Sequence, residues 1–481
     1  VFSLSPRTNP TQHWQLGFLF VRPLEIFMYR DPVQSLEFRS RLPAATRPLR
    51  VGMIGIGTVG SGTFRVLARN QAEIAGRAGR GIEVVIVAAR NLGRAAAIVD
   101  GKAALTADPL QVATHPEVDV VVEVAGGTGP ARDWVLAAIA HGKHVVTANK
   151  ALLAVHGGEI FAAARRHGVS VAYEAAVAVS IPIIKALREG LTANRIEWVA
   201  GIINGTTNFI LSKMRDEGID FGSALAQAQA LGYAEADPSF DVEGVDAAHK
   251  LTLLAANAFG MPLRFADAQV EGIAALQALD LAGAEQLGYR VKLLGIARRR
   301  ADGVELRVQP ALVPAAHLMA QVDGAMNAIM VKADAAGLTM YYGAGAGSEQ
   351  TASAVIADLV DVARLDGTQA AQRVPHLGFH AHAMQALPVL PRAAVCSAHY
   401  LRVPLHAASQ VDVVGALLAA QGVPVRRVLP ATGRAAAHGP QALVLTDTAV
   451  QGAVDLAAHA LQGHASVAGA IVALRVEELA P

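Results

Sequence analysis

The stretch Gly55–Gly62, GIGTVGSG, stands directly behind the apolar run LRVGMI (Leu49–Ile54) and ahead of TFRVLARNQAEIA, which has helical spacing. Its glycines at 55, 57 and 60 fit the pattern GxGxxG. Three glycines alone could be an ordinary turn. A strand before them and a helix after them are the context that a dinucleotide site requires. There Gly55 makes the tight turn and Gly57 lets the backbone approach a pyrophosphate. Gly60 lets the helix pack close to the strand, and the N–H groups of its first turn, with Thr58 and Val59, face the anion. A glycine turn in an unrelated α/β domain is the plainer alternative, so the neighbouring chain has to decide.

Beyond the loop, short β-rich runs alternate with helical ones: EVVIVAA, an Ala-rich helix, VDVVVEVA, ARDWVLAAIAHG and KHVVTAN. This alternation predicts a Rossmann-type, doubly wound parallel sheet, whose ligands sit at the carboxyl ends of the strands. The second strand ends in Arg90, with Arg94 soon after, where an NAD site usually has a carboxylate for the ribose 2′-hydroxyl. An arginine suits a 2′-phosphate, which favours NADP over NAD unless Arg90 is merely solvated. AGGTGP (residues 125–130), with Gly126, follows the fourth strand, and TANK (147–150), with Thr147, ends the fifth. Lys150 is therefore expected to point into the crevice where a nicotinamide would lie.

The chain has 481 residues, too many for one compact core. Its 53% hydrophobic and 17% charged content supplies ample interior, and the nearest candidate for a membrane span, LGFLFVRPLEIFMY, is broken by Arg22, Pro23 and Glu25. No membrane span is expected. With a net charge of +1 and no basic block, nothing points to nucleic acid. Cys396 is the sole cysteine, which excludes an internal disulfide and fits a reducing cytosol. Residues 1–48 are expected to be a disordered leader, without the pattern of a secretory signal. The dinucleotide unit is expected over 49–182, completed by 341–365. A second unit follows over 183–340, and DGTQAAQRVPHLGFHAHAMQALPVLPR (366–392) reads as a linker. The last unit, 393–481, has the order strand, helix, strand, strand, helix, strand, that of a small α+β module.

LGYAEADPSFDVEGVDAAHK, residues 231–250, packs Glu235, Asp237, Asp241, Glu243, Asp246 and Lys250 into one short block. GVDAAHKLTLLAANAFG has helical periodicity, which puts Asp246 and Lys250 on one face. A helix-surface ion pair is the plain reading, but apolar neighbours predict burial. Buried charges need partners, and a small zwitterion is a suitable one.

VGMIGIGTVGSG, GKHVVTANKALLAVHG, NGTTNFIL, LGYAEADPSFDVEGVDAAHK and GAGAGSEQTASAV occur in that order. Together they resemble the homoserine dehydrogenase family from about Leu49 to Arg364, and the 231–250 block is the most diagnostic. The C-terminal unit is similar to the ferredoxin-like ACT domain of many bacterial members. The resemblance implies NAD(P)-dependent interconversion of L-homoserine and L-aspartate 4-semialdehyde, in threonine and methionine biosynthesis, by a cytoplasmic homodimer or homotetramer. Residues 183–340 would be the catalytic and dimerisation domain. Lys250 would carry the proton, with Lys150 between substrate and nicotinamide. Glu235, Asp246 and Asp241 would hold substrate, and Gly232, Gly345 and Gly347 would close over the cofactor. A sodium ion would lie on Glu174 and the carbonyls near Val177, Val179 and Ile181. The family has glycines where this chain has Val179 and Ser180, and a side chain restricts the backbone there. The stretch Ala407–Gln410 lacks the Asp-x-Pro-Gly turn with which ACT modules hold an amino acid. Another amino-acid dehydrogenase on this fold would lack the 231–250 block. A degenerate sensor of NADP or of an amino acid is the rival of a different class.

Overall fold

The computed structural model describes residues 47–365 and 367–479, so the expected leader lies outside the described residues but for its last two positions. Six parallel strands open the fold: β1 (Leu49–Ile54), β2 (Ile82–Ala88), β3 (Ala104–Thr106), β4 (Val120–Glu123), β5 (His144–Thr147) and β6 (Val171–Ala172). Their order, β3-β2-β1-β4-β5-β6, is that of a doubly wound dinucleotide sheet. Both faces are covered by helices, which is why the strands read as unbroken apolar runs. Val51, Met53, Val120 and Val122 pack into one layer. Val121 and Val145, pointing the other way, pack into the opposite one. The helix Ser348–Arg364 returns to cover this sheet, with Val355 and Leu359 packing in the same layer as Phe64 and Leu67 of the helix Thr58–Arg69.

Among the described residues the second sheet has eleven strands. Those between the two passes through the first unit are β7 (Ile196–Ile202), β8 (Gln269–Val270), β9 (Tyr289–Arg299), β10 (Val304–Pro314), β11 (Met326–Ala333) and β12 (Gly337–Ala344). Leu251 and Leu254 of the helix Val245–Phe259 pack with Leu293 and Val308 on one face of this sheet. That helix is buried along nearly its whole length.

The C-terminal strands are β13 (Cys396–Pro404), β14 (Val425–Pro430), β15 (Gln441–Thr446), β16 (Ala449–Val450) and β17 (Val472–Val476). With the helices Val411–Ala420 and Gln451–Gln462 they form a βαββαβ unit of strand order β17-β13-β15-β14. β17 pairs in parallel with β10 through Ala311↔Arg475 and Leu312↔Val476, so this unit continues the second sheet. Residues 367–392 do not hang free as a linker. The N–H of Gln385 donates to the Gly260 carbonyl (2.7 Å), that of Val304 to the Pro388 carbonyl and that of Leu390 to the Val304 carbonyl (2.9 Å each). Pro and Gly there shape a strap laid along the body. Among the described residues no helix is long and apolar enough to cross a membrane.

Candidate active site

The glycine loop leaves β1 through Gly55, whose φ of +100° is left-handed backbone. A Cβ there would fall 2.9 Å from the Ala125 nitrogen, and one on Gly60 would fall 2.3 Å from the Gly55 carbonyl oxygen. Gly57 faces open space. The first and third glycines are thus demanded by packing, while the second leaves its backbone bare. Beside them lies a cavity of about 410 Å³ bounded by Gly55, Gly57, Arg90, Arg94, Gly126 and Trp134, and among the described residues no acidic side chain lines it. Gly347 leads into the return helix, where the Ser348 hydroxyl donates to the Thr58 carbonyl (2.7 Å), so this loop abuts the glycine loop. Gly345 lies on the amide of Asn327.

Across the crevice the chain makes a sharp turn at Gly244, φ +84°, between the short helix Ser239–Val242 and the helix Val245–Phe259. That turn brings Asp241 and Asp246 to one side. Asp246 is 4% exposed and sits between two lysines. Its Oδ1 is 3.0 Å from Lys150 Nζ, and its Oδ2 accepts from Lys250 Nζ at 2.7 Å. Lys250 also donates to the Ile203 carbonyl (2.8 Å). The Asn204 amide donates to Asp241 (2.7 Å) and to Asp246 (2.8 Å), joining the two carboxylates. Burial lowers the Lys250 pKa from its ordinary value; the nearby Lys150 charge adds to this, and Asp246 opposes it. Burial raises Asp241, helped by Asp246 and opposed by the Asn204 hydrogen bond. Burial would also raise Asp246, but its two lysines outweigh that and hold it below the usual carboxylate range. An ammonium of lowered proton affinity in a dry, charged pocket is equipped to pass a proton.

Lys150, Asp241, Asp246 and Lys250 are therefore brought together. Glu235 is not: it lies exposed on the loop after the helix Phe221–Ala230 and makes no ion pair among the described residues. Gly232 is exposed on the same loop. The Thr147 hydroxyl turns inward and donates to Glu123 (2.8 Å). The Glu174 carboxylate accepts from the N–H groups of Ile184 (2.9 Å) and Lys185 (2.8 Å), at the start of the short helix Ile183–Lys185. Burial pushes Glu174 up to about 7. The left-handed residue of that loop is Ala178, φ +54°, not Val179 or Ser180. Among the described residues no group of three His, Cys, Asp or Glu could hold a metal.

Two residues escaped the sequence reading. Asn204 was signalled by its position, a polar residue between a strand and a helix, and it caps that helix by accepting from Thr207 N (2.9 Å). Glu123 was signalled as a charge ending an apolar strand.

Residues 55–174 match the family model described as homoserine dehydrogenase, NAD binding domain, and 182–360 match that of homoserine dehydrogenase. The homoserine dehydrogenase of Pseudomonas aeruginosa is 53% identical over 434 residues, covering 90% of this chain and 100% of that protein. The chain belongs to the homoserine dehydrogenase family. The Neisseria gonorrhoeae homoserine dehydrogenase is 48% identical, over 90% of this chain and 99% of its own. The crystal structure of the homoserine dehydrogenase from Thiobacillus denitrificans superposes with a TM-score of 0.85 at 53% identity, covering 90% of this chain and 99% of that one. The homoserine dehydrogenase reaction is the reversible hydride transfer between L-homoserine and L-aspartate 4-semialdehyde. Identity of this height along the whole of an enzyme does not favour the degenerate-sensor reading.

Proposed function

We propose that this homoserine dehydrogenase prefers NADP and uses Lys250 as its proton carrier, with Lys150 steadying the reacting oxygen. The observation that carries the catalytic part is Asp246 held between Lys150 and Lys250, which reach it from the dinucleotide unit and from the substrate unit. A nicotinamide dinucleotide, when bound, supplies or accepts the hydride. In the reducing direction Lys250 gives its proton to the oxygen that was the aldehyde's, and in the oxidising direction it takes the hydroxyl proton of homoserine. Lys150 offers positive charge to that oxygen while it is an alkoxide. Asp246 and Asp241 hold the substrate ammonium and keep Lys250 in place, and the exposed loop carrying Gly232 and Glu235 reaches the substrate only if it folds inward on binding.

NADP fits the residues present. The glycine loop offers a bare backbone at Gly57, and Arg90 with Arg94 edges the neighbouring cavity where a carboxylate would select NAD. We expect kcat/KM to be higher with NADP than with NAD, and Arg90→Ala to narrow that ratio. A preference for NAD, or a ratio unmoved by Arg90→Ala, refutes the assignment. Both oxygens of the Glu174 carboxylate accept from backbone N–H groups, so a sodium ion held by this loop would rest chiefly on the carbonyls near Val177, Val179 and Ile181. The βαββαβ order supports an ACT-like C-terminal unit. Cytoplasmic location, suited by a single cysteine, and assembly as a homodimer or homotetramer complete the reading.

A further inference from the structure

We propose that Glu123 is a positioning residue: it clamps the loops that end β4 and β5 to one another and so sets where Lys150 meets Asp246. Glu123 is the last residue of β4 and is fully buried. Its Oε1 accepts from the N–H groups of Ala125 (2.9 Å) and Gly126 (3.0 Å), and its Oε2 from the Thr147 hydroxyl (2.8 Å). The same hydroxyl oxygen accepts from Asn149 N (3.0 Å). Asn149 closes the circuit, donating to the Gly127 carbonyl (2.7 Å) and accepting from Leu152 N (3.1 Å) as the cap of the helix Lys150–His167. Lys150 is the first residue of that helix and the next in the chain.

A buried carboxylate is costly unless its lone pairs are filled. Here neutral donors alone fill them, and no cation pairs with Glu123 among the described residues. What the charge gains in this place is two loops gathered onto one group. One loop borders the dinucleotide cavity through Gly126, and the other delivers Lys150 to the crevice. Placement of this kind acts on rate, because reacting groups displaced by about 1 Å lose turnover by on the order of 10²-fold.

The inference rests on the roles given to Lys150 and Lys250 above, and it has a signature that plain loss of stability lacks. Lys250 is faced by Asp246 on its own helix, by Asp241 from the preceding short helix, by Lys150 from the dinucleotide unit and by the Ile203 carbonyl. His249 adjoins it in the chain, and burial lowers the pKa of its imidazole against the opposing charge of Asp246. Moving Lys150 away removes a positive charge from this circle, so Lys250 holds its proton to higher pH.

The test is steady-state kinetics of the full-length Glu123→Ala, Glu123→Gln, Thr147→Val and Lys250→Ala enzymes with L-homoserine and NADP across the pH range. Glu123→Ala is expected to lose at least about 10-fold in kcat, with a smaller change in the KM for homoserine and a rate-limiting ionisation displaced to higher pH. Glu123→Gln is expected to restore most of the rate. Its amide oxygen can take both backbone N–H groups, while its NH2 donates to Thr147. Thr147→Val, which removes the hydroxyl's bonds to Glu123 and from Asn149 N but spares the carboxylate and its two backbone bonds, is expected to shift the profile in the same direction by less, and it decides the matter should Glu123→Ala fail to fold. An unchanged kcat and profile in the folded variants, or a Gln variant as slow as Ala, overturns the positioning role. If Lys250→Ala keeps its turnover, the underlying proton assignment fails instead.

Discussion

Asp246 uses both carboxylate oxygens on lysines that arrive from different parts of the chain, so no ammonium at this site acts alone. Its Oδ1 meets Lys150 and its Oδ2 meets Lys250 and Asn204, while Lys250 donates one N–H to that carboxylate and another to the Ile203 carbonyl. Burial and the Lys150 charge lower the Lys250 pKa more than Asp246 raises it. The sign of the pH dependence follows. With Lys250 as the proposed proton carrier, the reducing direction needs it protonated, so its rate falls as pH rises through the Lys250 pKa. The oxidising direction needs Lys250 neutral, so its rate rises over the same interval. We expect mirrored limbs whose midpoint lies below the ordinary lysine value of about 10.4, and Lys150→Met should move both limbs to higher pH. Profiles of kcat against pH in both directions measure this. Limbs that rise together, or a midpoint unmoved in Lys150→Met, would contradict the shared-charge account.

At the scale of elements, the strand-loop-helix around Gly55 was legible because every signal in it is local: an apolar run, a glycine spacing and a helical period. Asp246 and Lys250 were legible for the same reason, four residues apart on an apolar helix. Glu235 was not, because whether a loop residue turns into a cleft or away from it depends on the path after the helix Phe221–Ala230 and not on spacing. Glu123 stands out in sequence as a charge ending a strand of valines, but its partners come from loops that meet it only in three dimensions. The strap at 367–392 has the composition of a linker; its bonds to Gly260 and Val304 could not be read from Pro and Gly alone. In the C-terminal unit the stretch Ala407–Gln410 closes on itself: a short turn forms over Ala408–Gln410, and the Gln410 side chain accepts from Ala407 N at 3.0 Å. A loop whose backbone N–H is already bonded, and which has no glycine, is poorly shaped to hold an amino acid's carboxylate. We therefore expect weak or no inhibition by L-threonine when it is titrated against activity of the whole chain. Saturable inhibition at sub-millimolar threonine would refute this.

At the scale of the molecule, the two sheets serve different ends of one crevice. The parallel sheet presents its glycine loop and Lys150, and the mixed sheet backs the helix that carries Asp246 and Lys250. The C-terminal unit is built into the second sheet through β10 and β17, and Arg402 bonds the fully buried Asp280 across the junction (2.5 Å). Truncating that unit would strip an edge from the catalytic sheet, so regulation has to be judged on the intact protein. Lys250, on the proposal above, carries the proton in this crevice. The most direct measurement is kcat of Lys250→Ala with saturating L-homoserine and NADP, alongside coenzyme binding followed by fluorescence. The account predicts a fall in kcat of on the order of 10²-fold or more with coenzyme binding intact. Near-normal turnover in that variant would contradict it.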